Sequence, residues 1–152
     1  MGALLIMIAH GVCSSGIFAG ANTIYLRSNS RLLSLNKGVL SWLPFFTLLW
    51  FLLSLGNIGG PPTINLIREI MSIIGIFNFN TLIVLPISGI TFLAAAYTLV
   101  LYRGTQHGET PASLVACTPL SAAERLILTG HAYWLFLLPL PLTAFVYNHI
   151  TN

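Results

Sequence analysis

A carboxylate inside an apolar run is the group with the most chemistry to offer in this sequence. Residues 57–72, NIGGPPTINLIREIMS, hold Glu69, with Asn65 four positions before it and Ser72 three after. On a helix those spacings bring the three side chains to one face. Arg68 sits ~100° around the helix from Glu69 and is not expected to face that stripe. Burial and a nearby cation push a carboxyl group in opposite directions, so it can be poised to take up and release a proton. A second titratable group, His10, opens HGVCSSG, with Ser14 at i+4 on the same helical face. Imidazole accepts and donates a proton near neutral pH, which suits a relay. Each group also has a plainer reading. His10 could be hydrogen-bonded to a neighbouring helix, and Glu69 could be neutralised by Arg68, although adjacent helical positions pair poorly.

The elements that must position these groups are built for lipid. Hydrophobic residues make up 56% of the 152 and charged residues 6%, where a soluble domain carries about 25% charge. Four apolar regions emerge, at residues 3–26, 39–77, 80–102 and 125–147. Each is at least as long as the ~20 residues that cross a ~30 Å hydrocarbon core. The expected fold is all-α: residues 1–152 form a single transmembrane helical region of four spans, the second discontinuous. Ionisable groups inside such spans cost several kcal/mol unless paired or hydrated, and by default mark a functional pathway.

The discontinuity is Gly59-Gly60-Pro61-Pro62. The prolines lack amide donors and clash with the preceding turn, and the glycines weaken the helix before them. Bare backbone is not tolerated against lipid, so the break must be buried in protein or line a hydrated cavity. Broken helices that present ion sites near the membrane midplane recur in transporters. A helix over the whole 39–77 region would span ~58 Å, so one half must tilt, unwind or protrude.

Charge sets the expected topology. The net charge of +3 comes from scattered cations, too dispersed for a nucleic-acid footprint. Arg27, Arg31 and Lys37 share one loop, and Arg103 and Arg125 flank another. A single broken crossing by the second region puts loops 27–38 and 103–124 on the same side, as positive charge prefers. Ser121 and Glu124 have capping-box spacing, which starts a helix near Ala122. Tyr133, Trp134 and Tyr147 suit membrane interfaces. The N-terminal apolar run lacks a basic leader and is read as a retained helix rather than a signal peptide. Cys13 and Cys117 form no C-x-x-C pair and imply neither a disulfide framework nor a zinc site. His10 and His131 should differ in depth by ~17 Å across a first span of ~36 Å, so this chain is not expected to hold a bis-histidine haem.

Several stretches together carry a family resemblance: LLIMIAHGVCSSGIFAGANTIYLRSNSR, WLPFFTLLWFLL, PPTINLIREI and AAAYTLVLYRGTQHG. They resemble the C-terminal part of the chain 4 family of mitochondrial NADH–ubiquinone oxidoreductase, antiporter-like membrane subunits of respiratory complex I. The resemblance covers essentially the whole chain, most specifically residues 3–31, 59–72 and 94–108. It implies that the four spans correspond to the eleventh to fourteenth helices of a fourteen-helix subunit. Glu69 matches an acidic residue implicated in proton exit, and His10 matches a histidine of the central hydrophilic axis. Arg31 matches an arginine in the matrix-side loop after the eleventh helix; Lys37 lies in that loop with no carried-over role. Arg68 departs from the family motif, which usually has glycine there.

The same resemblance implies a mitochondrial inner-membrane location, with both basic loops on the matrix side and the C-terminus on the intermembrane side. Partners would be other complex I membrane-arm subunits, including a chain or segment carrying the upstream helices, and membrane lipids. No cofactor is expected in this chain: NADH, FMN, iron–sulfur clusters and ubiquinone act elsewhere in the complex. The expected function is a share of a proton pathway coupled to electron transfer in other subunits. A structural or assembly subunit and a cation/proton antiporter subunit are the alternatives.

Overall fold

Proline and glycine punctuate the chain into helices of unequal length. The computed structural model describes residues 2–111, 118–137 and 139. Six α-helices lie among these: α1 (Gly2–Ser28), α2 (Val39–Trp42), α3 (Pro44–Ile58), α4 (Ile64–Phe79), α5 (Val84–Gln106) and α6 (Ala122–Leu137). A single 3-10 turn, Thr81–Ile83, leads into α5.

The apolar region from Val39 is broken twice, not once as the sequence suggests. Leu43 precedes Pro44 and is forced out of the helical region, to φ −132° and ψ 64°, because the proline ring crowds the residue before it. Pro44 then starts α3 at a position where an amide donor has no partner anyway. Between α4 and α5 the Asn80 side chain accepts from the Leu82 amide at 3.0 Å and so starts the 3-10 turn. At the far end α5 runs on past Tyr102 to Gln106, with Arg103 in its last turn complementing the helix dipole. Gly108, at φ 109°, lies just beyond.

The helices pack around α1 through pairs that march in register. Gly20 abuts the Trp50 ring, Gly16 faces Leu53 and His131, and the Cys13 thiol reaches Leu53 and Asn57. As numbers fall along α1 they rise along α3 and α6, so α1 is antiparallel to both. A Cβ on Gly16 would meet Leu53 at 2.8 Å and His131 at 3.0 Å, so this glycine lets three helices approach closely. Cys13, Phe46, Leu53, Leu128 and Leu135 form the centre of the resulting core. Helix α5 runs antiparallel to α3, with Thr47 against Gln106 and Phe51 against Tyr102. Helix α4 continues in the direction of α3, alongside the N-terminal part of α1.

The end of α1 and the segment after it meet the described parts of the connection between α5 and α6 at one end of this bundle. The Gly38 amide donates to the His107 carbonyl at 3.4 Å, and Arg27 donates to the carbonyls of Thr118 and Pro119, each at 3.0 Å. One helical stretch among the described residues, Thr81–Gln106, is long and apolar enough by itself to cross a membrane. The expectation of four such spans is thus narrowed to one among the described residues. Helix α1 is longer still and is as apolar on average as α5. Helices α3 and α4, of 15 and 16 residues, are shortened by the break. The end of the expected fourth span, Tyr147 and Cys117 fall outside the described residues.

A carboxylate cleft at a helix break

The break is a Schellman ending followed by prolines. Gly59 sits at φ 78°, in the left-handed region where glycine carries no Cβ penalty. Its amide donates to the Gly56 carbonyl at 3.2 Å, and the Gly60 amide donates to Leu55 at 2.9 Å. These two bonds satisfy carbonyls that the end of α3 would leave orphaned. Pro61 and Pro62, joined by a cis bond, prevent continuation. Thr63 then donates its hydroxyl to the Gly60 carbonyl at 2.6 Å as α4 begins. Asn65, wholly buried, donates its amide to the Gly56 carbonyl from across the break. The interrupted backbone therefore finds its partners within the protein.

Glu69 lies just over one turn into α4, and its side chain folds back onto Gly59. A Cβ on Gly59 would stand 2.7 Å from Glu69 Oε2 and 3.0 Å from Oε1. Gly59 is thus required by its own dihedral, and the carboxylate rests against it. Arg68 corrects the sequence expectation: although it leaves the helix on another side, its long side chain reaches back to the polar stripe. Its Nε donates to Asn65 Oδ1 at 2.8 Å, and its Nη2 lies 3.4 Å from Glu69 Oε1.

The two serines on the expected polar faces are turned inward on their own helices. Ser72 donates to the Arg68 carbonyl at 2.7 Å, and Ser14 to the Gly11 carbonyl at 3.4 Å. Ser72 still lines the cleft, while Ser14 makes no hydrogen bond to His10.

Four helices enclose a cleft of about 350 Å³ around this carboxylate. His10 lines it from α1, Asn57 from α3, Arg68, Glu69 and Ser72 from α4, and Thr91 and Thr98 from α5. The structure thus gathers His10 and Glu69 about one cavity, although 58 positions separate them in sequence. With Thr91 and Thr98, Asn57 is a cleft residue that sequence reading missed. It adjoins the glycines, but only the fold shows that it joins the cleft, next to the Cys13 thiol at 3.9 Å.

Arg31 and Lys37 belong to the opposite end of α1. Arg31 stacks 5.4 Å over the Tyr25 ring, and Lys37 is exposed beside Gly108. Tyr25 is about 22 Å along the helix from His10, at ~1.5 Å per residue. Neither cation reaches the cleft. His131 packs against Gly16 with Nδ1 2.7 Å from the Ile127 carbonyl, away from His10. Among the described residues no three His, Cys, Asp or Glu side chains gather as a metal site.

A second charged cluster closes the loop end. The expected capping box forms: Ser121 donates its amide to Glu124 Oε2 at 2.8 Å, and Glu124 donates its amide to Ser121 Oγ at 3.2 Å. Arg27 grips both Glu124 oxygens at 2.8 Å, an interhelical pairing that spacing could not show. Hydrogen bonds from Arg27 hold the Glu124 carboxyl well below the usual range, at about 2. Nearby, buried Gln106 accepts from Thr47 Oγ1 at 2.8 Å and donates to Thr105 Oγ1 at 3.0 Å.

Comparison with known proteins places this arrangement. A family model described as NADH:quinone oxidoreductase/Mrp antiporter, transmembrane, matches residues 1–95, which include His10, the break and Glu69. NADH-ubiquinone oxidoreductase chain 4 of Aedes aegypti is 41% identical over 134 residues, covering 88% of this chain and 30% of that protein. The chain 4 of Anopheles arabiensis is 40% identical over 134 residues, 88% of this chain and 60% of its own length. That of Struthio camelus is 38% identical over 139 residues, 91% of this chain and 30% of its own length. The chain therefore spans less than two thirds of the length of these relatives. With the match running through both the break and the helices that enclose the cleft, the chain belongs to the NADH:quinone oxidoreductase/Mrp antiporter transmembrane family.

Proposed function

We propose that the chain forms part of the proton-translocating membrane arm of respiratory complex I, NADH:ubiquinone oxidoreductase, in the mitochondrial inner membrane. The observation that carries this reading is the cleft joining His10 to Glu69 beside a helix break whose backbone is satisfied. Its volume leaves room for several waters between the two groups. His10 acts as the relay, since imidazole can take a proton on one nitrogen and release it from the other. Glu69 is the terminal site, where the carboxylate binds the proton and gives it up. Gly59, Gly60, Pro61 and Pro62 open the helix so that this carboxylate meets the cavity. Asn65 anchors the break, and Ser72 adds a hydroxyl to the lining. Ser14, Arg31 and Lys37 stand outside this path.

Electron transfer belongs to other subunits, which carry NADH, FMN, iron–sulfur clusters and ubiquinone. The names of the relatives support membership of an NADH-ubiquinone oxidoreductase. Further partners are the other membrane-arm subunits, the helices that make up the rest of the relatives' length, and lipid. The contacts between residues 27–38 and the described part of 103–124 support placing both on one side, which on this reading is the matrix, with the C-terminus on the intermembrane side.

Replacing Glu69 by glutamine tests the reading. Coupled proton pumping should fall while the complex still assembles on a native gel; unchanged pumping would overturn the assignment. A cation/proton antiporter is the second reading, because the family description includes such proteins. Comigration of this chain with NADH dehydrogenase activity separates the two. A purely structural subunit would instead tolerate the loss of Glu69.

A further inference from the structure

We infer that Arg68 is a positioning residue for Glu69, holding its carboxylate at the cleft by bridging it to the helix break. The inference rests on the proton-path reading above. Three contacts define the bridge. Asn65 is wholly buried, and its amide is committed to the Gly56 carbonyl at the end of α3. Its remaining oxygen accepts from Arg68 Nε at 2.8 Å. The same guanidinium then places Nη2 3.4 Å from Glu69 Oε1, while Oε2 rests on Gly59. The carboxylate is held between the guanidinium on one side and the glycine of the break on the other.

The two ends of the bridge are unequal, and that inequality suits a group that exchanges protons. The Asn65 end is short, partly buried and independent of the carboxylate's charge. The Glu69 end is long and depends on the carboxylate being ionised. A proton arriving on Glu69 weakens the long contact and leaves the short one intact, so Arg68 stays in place through each exchange. His10 and Cys13 are the other titratable groups near the cleft, both from α1; α3 contributes Asn57, and α5 contributes Thr91 and Thr98. Arg68 is the arginine among the lining residues. A planar guanidinium can serve both acceptors at once, where a lysine ammonium acts as a point charge.

The test uses the assembled complex carrying Arg68→Gln, Arg68→Lys, Glu69→Gln and the double variants with Glu69→Gln. Arg68→Gln should slow coupled proton pumping at least roughly tenfold, since misplacing a reacting group by about 1 Å can cost about a hundredfold. Arg68→Lys should recover part of that rate. Neither change should slow pumping further once Glu69 is glutamine, because Arg68 acts through it. Normal pumping by Arg68→Gln, with pumping slowed by Glu69→Gln, overturns the inference and leaves the path reading standing. Normal pumping by Glu69→Gln removes both. Additive losses in the double variant would make Arg68 a structural residue only, and also overturn the inference. Should Arg68→Gln fail to assemble, the lysine pair decides by the same additivity.

Discussion

Among the described residues two arginine–glutamate pairs form, and they are built to opposite ends. At the loop end, Arg27 grips both oxygens of Glu124 at 2.8 Å and also donates to the carbonyls of Thr23, Thr118 and Pro119. Glu124 in turn completes the capping box of α6. Every strong site on that carboxylate is taken. At the break, Glu69 has one charged partner among the described residues, Arg68 at 3.4 Å, and faces a cleft. A saturated pair, bidentate and charge-assisted, resists rearrangement. An unsaturated one can change its protonation without dismantling the fold. On the proposed proton path, the first pair is a latch and the second is a site.

Removing the latch should have the largest effect on stability. Arg27 and Glu124 keep only 7% and 19% of their side-chain surface exposed. Arg27→Ala would leave a largely buried carboxylate unpaired, at a cost of about 3 kcal/mol or more. Two loop carbonyls and one in α1 would lose their donor as well. Thermal inactivation of the purified complex should begin at markedly lower temperature, with the pumping rate of surviving molecules unchanged. An equal loss of pumping per assembled complex would erase the distinction between latch and site.

Gly59→Ala should cost less stability and more function. An alanine at φ 78° carries a penalty of about 1–2 kcal/mol. Its methyl would also occupy the place of the Glu69 carboxyl group, which must swing aside. Pumping should therefore fall further than a loss of that size in stability explains. Gly11→Ala is the control, since nothing lies within 4 Å of that added Cβ. Equal behaviour of the two variants would show that Glu69 does not depend on Gly59.

The sequence made the break, its carboxylate and the capping box of α6 readable because each is written in neighbouring residues. A Gly-Gly-Pro-Pro run stops a helix wherever it occurs, and serine three positions before glutamate closes a cap locally. What stayed hidden depends on partners far along the chain. Nothing in the spacing joins Arg27 to Glu124, or Thr47 to Gln106, because helix packing creates those pairs. Arg68 was misjudged for a different reason. Its Cα does point away from Glu69, but an arginine is long enough to return across the helix surface. The break at Leu43 was legible in principle, since it follows from Pro44 alone.

The smallest effect separates the two carboxylates by acid alone. The Glu124 carboxyl sits at about 2 in the folded chain against an ordinary 4.5, so the folded state favours its ionised form. Such a group contributes stability that is fully present above the unfolded value and is lost as pH falls towards the folded one. The difference in thermal inactivation between the native chain and Glu124→Gln should be constant above pH 4.5 and shrink steadily as the pH approaches 2. Throughout the neutral range the latch should take no part in proton chemistry, so Glu124→Gln should leave the pH profile of pumping unmoved in whatever complex remains intact. A profile displaced by that variant would mean that the loop-end carboxylate exchanges protons too. The contrast between a saturated pair and an open one would then fail at its stronger end.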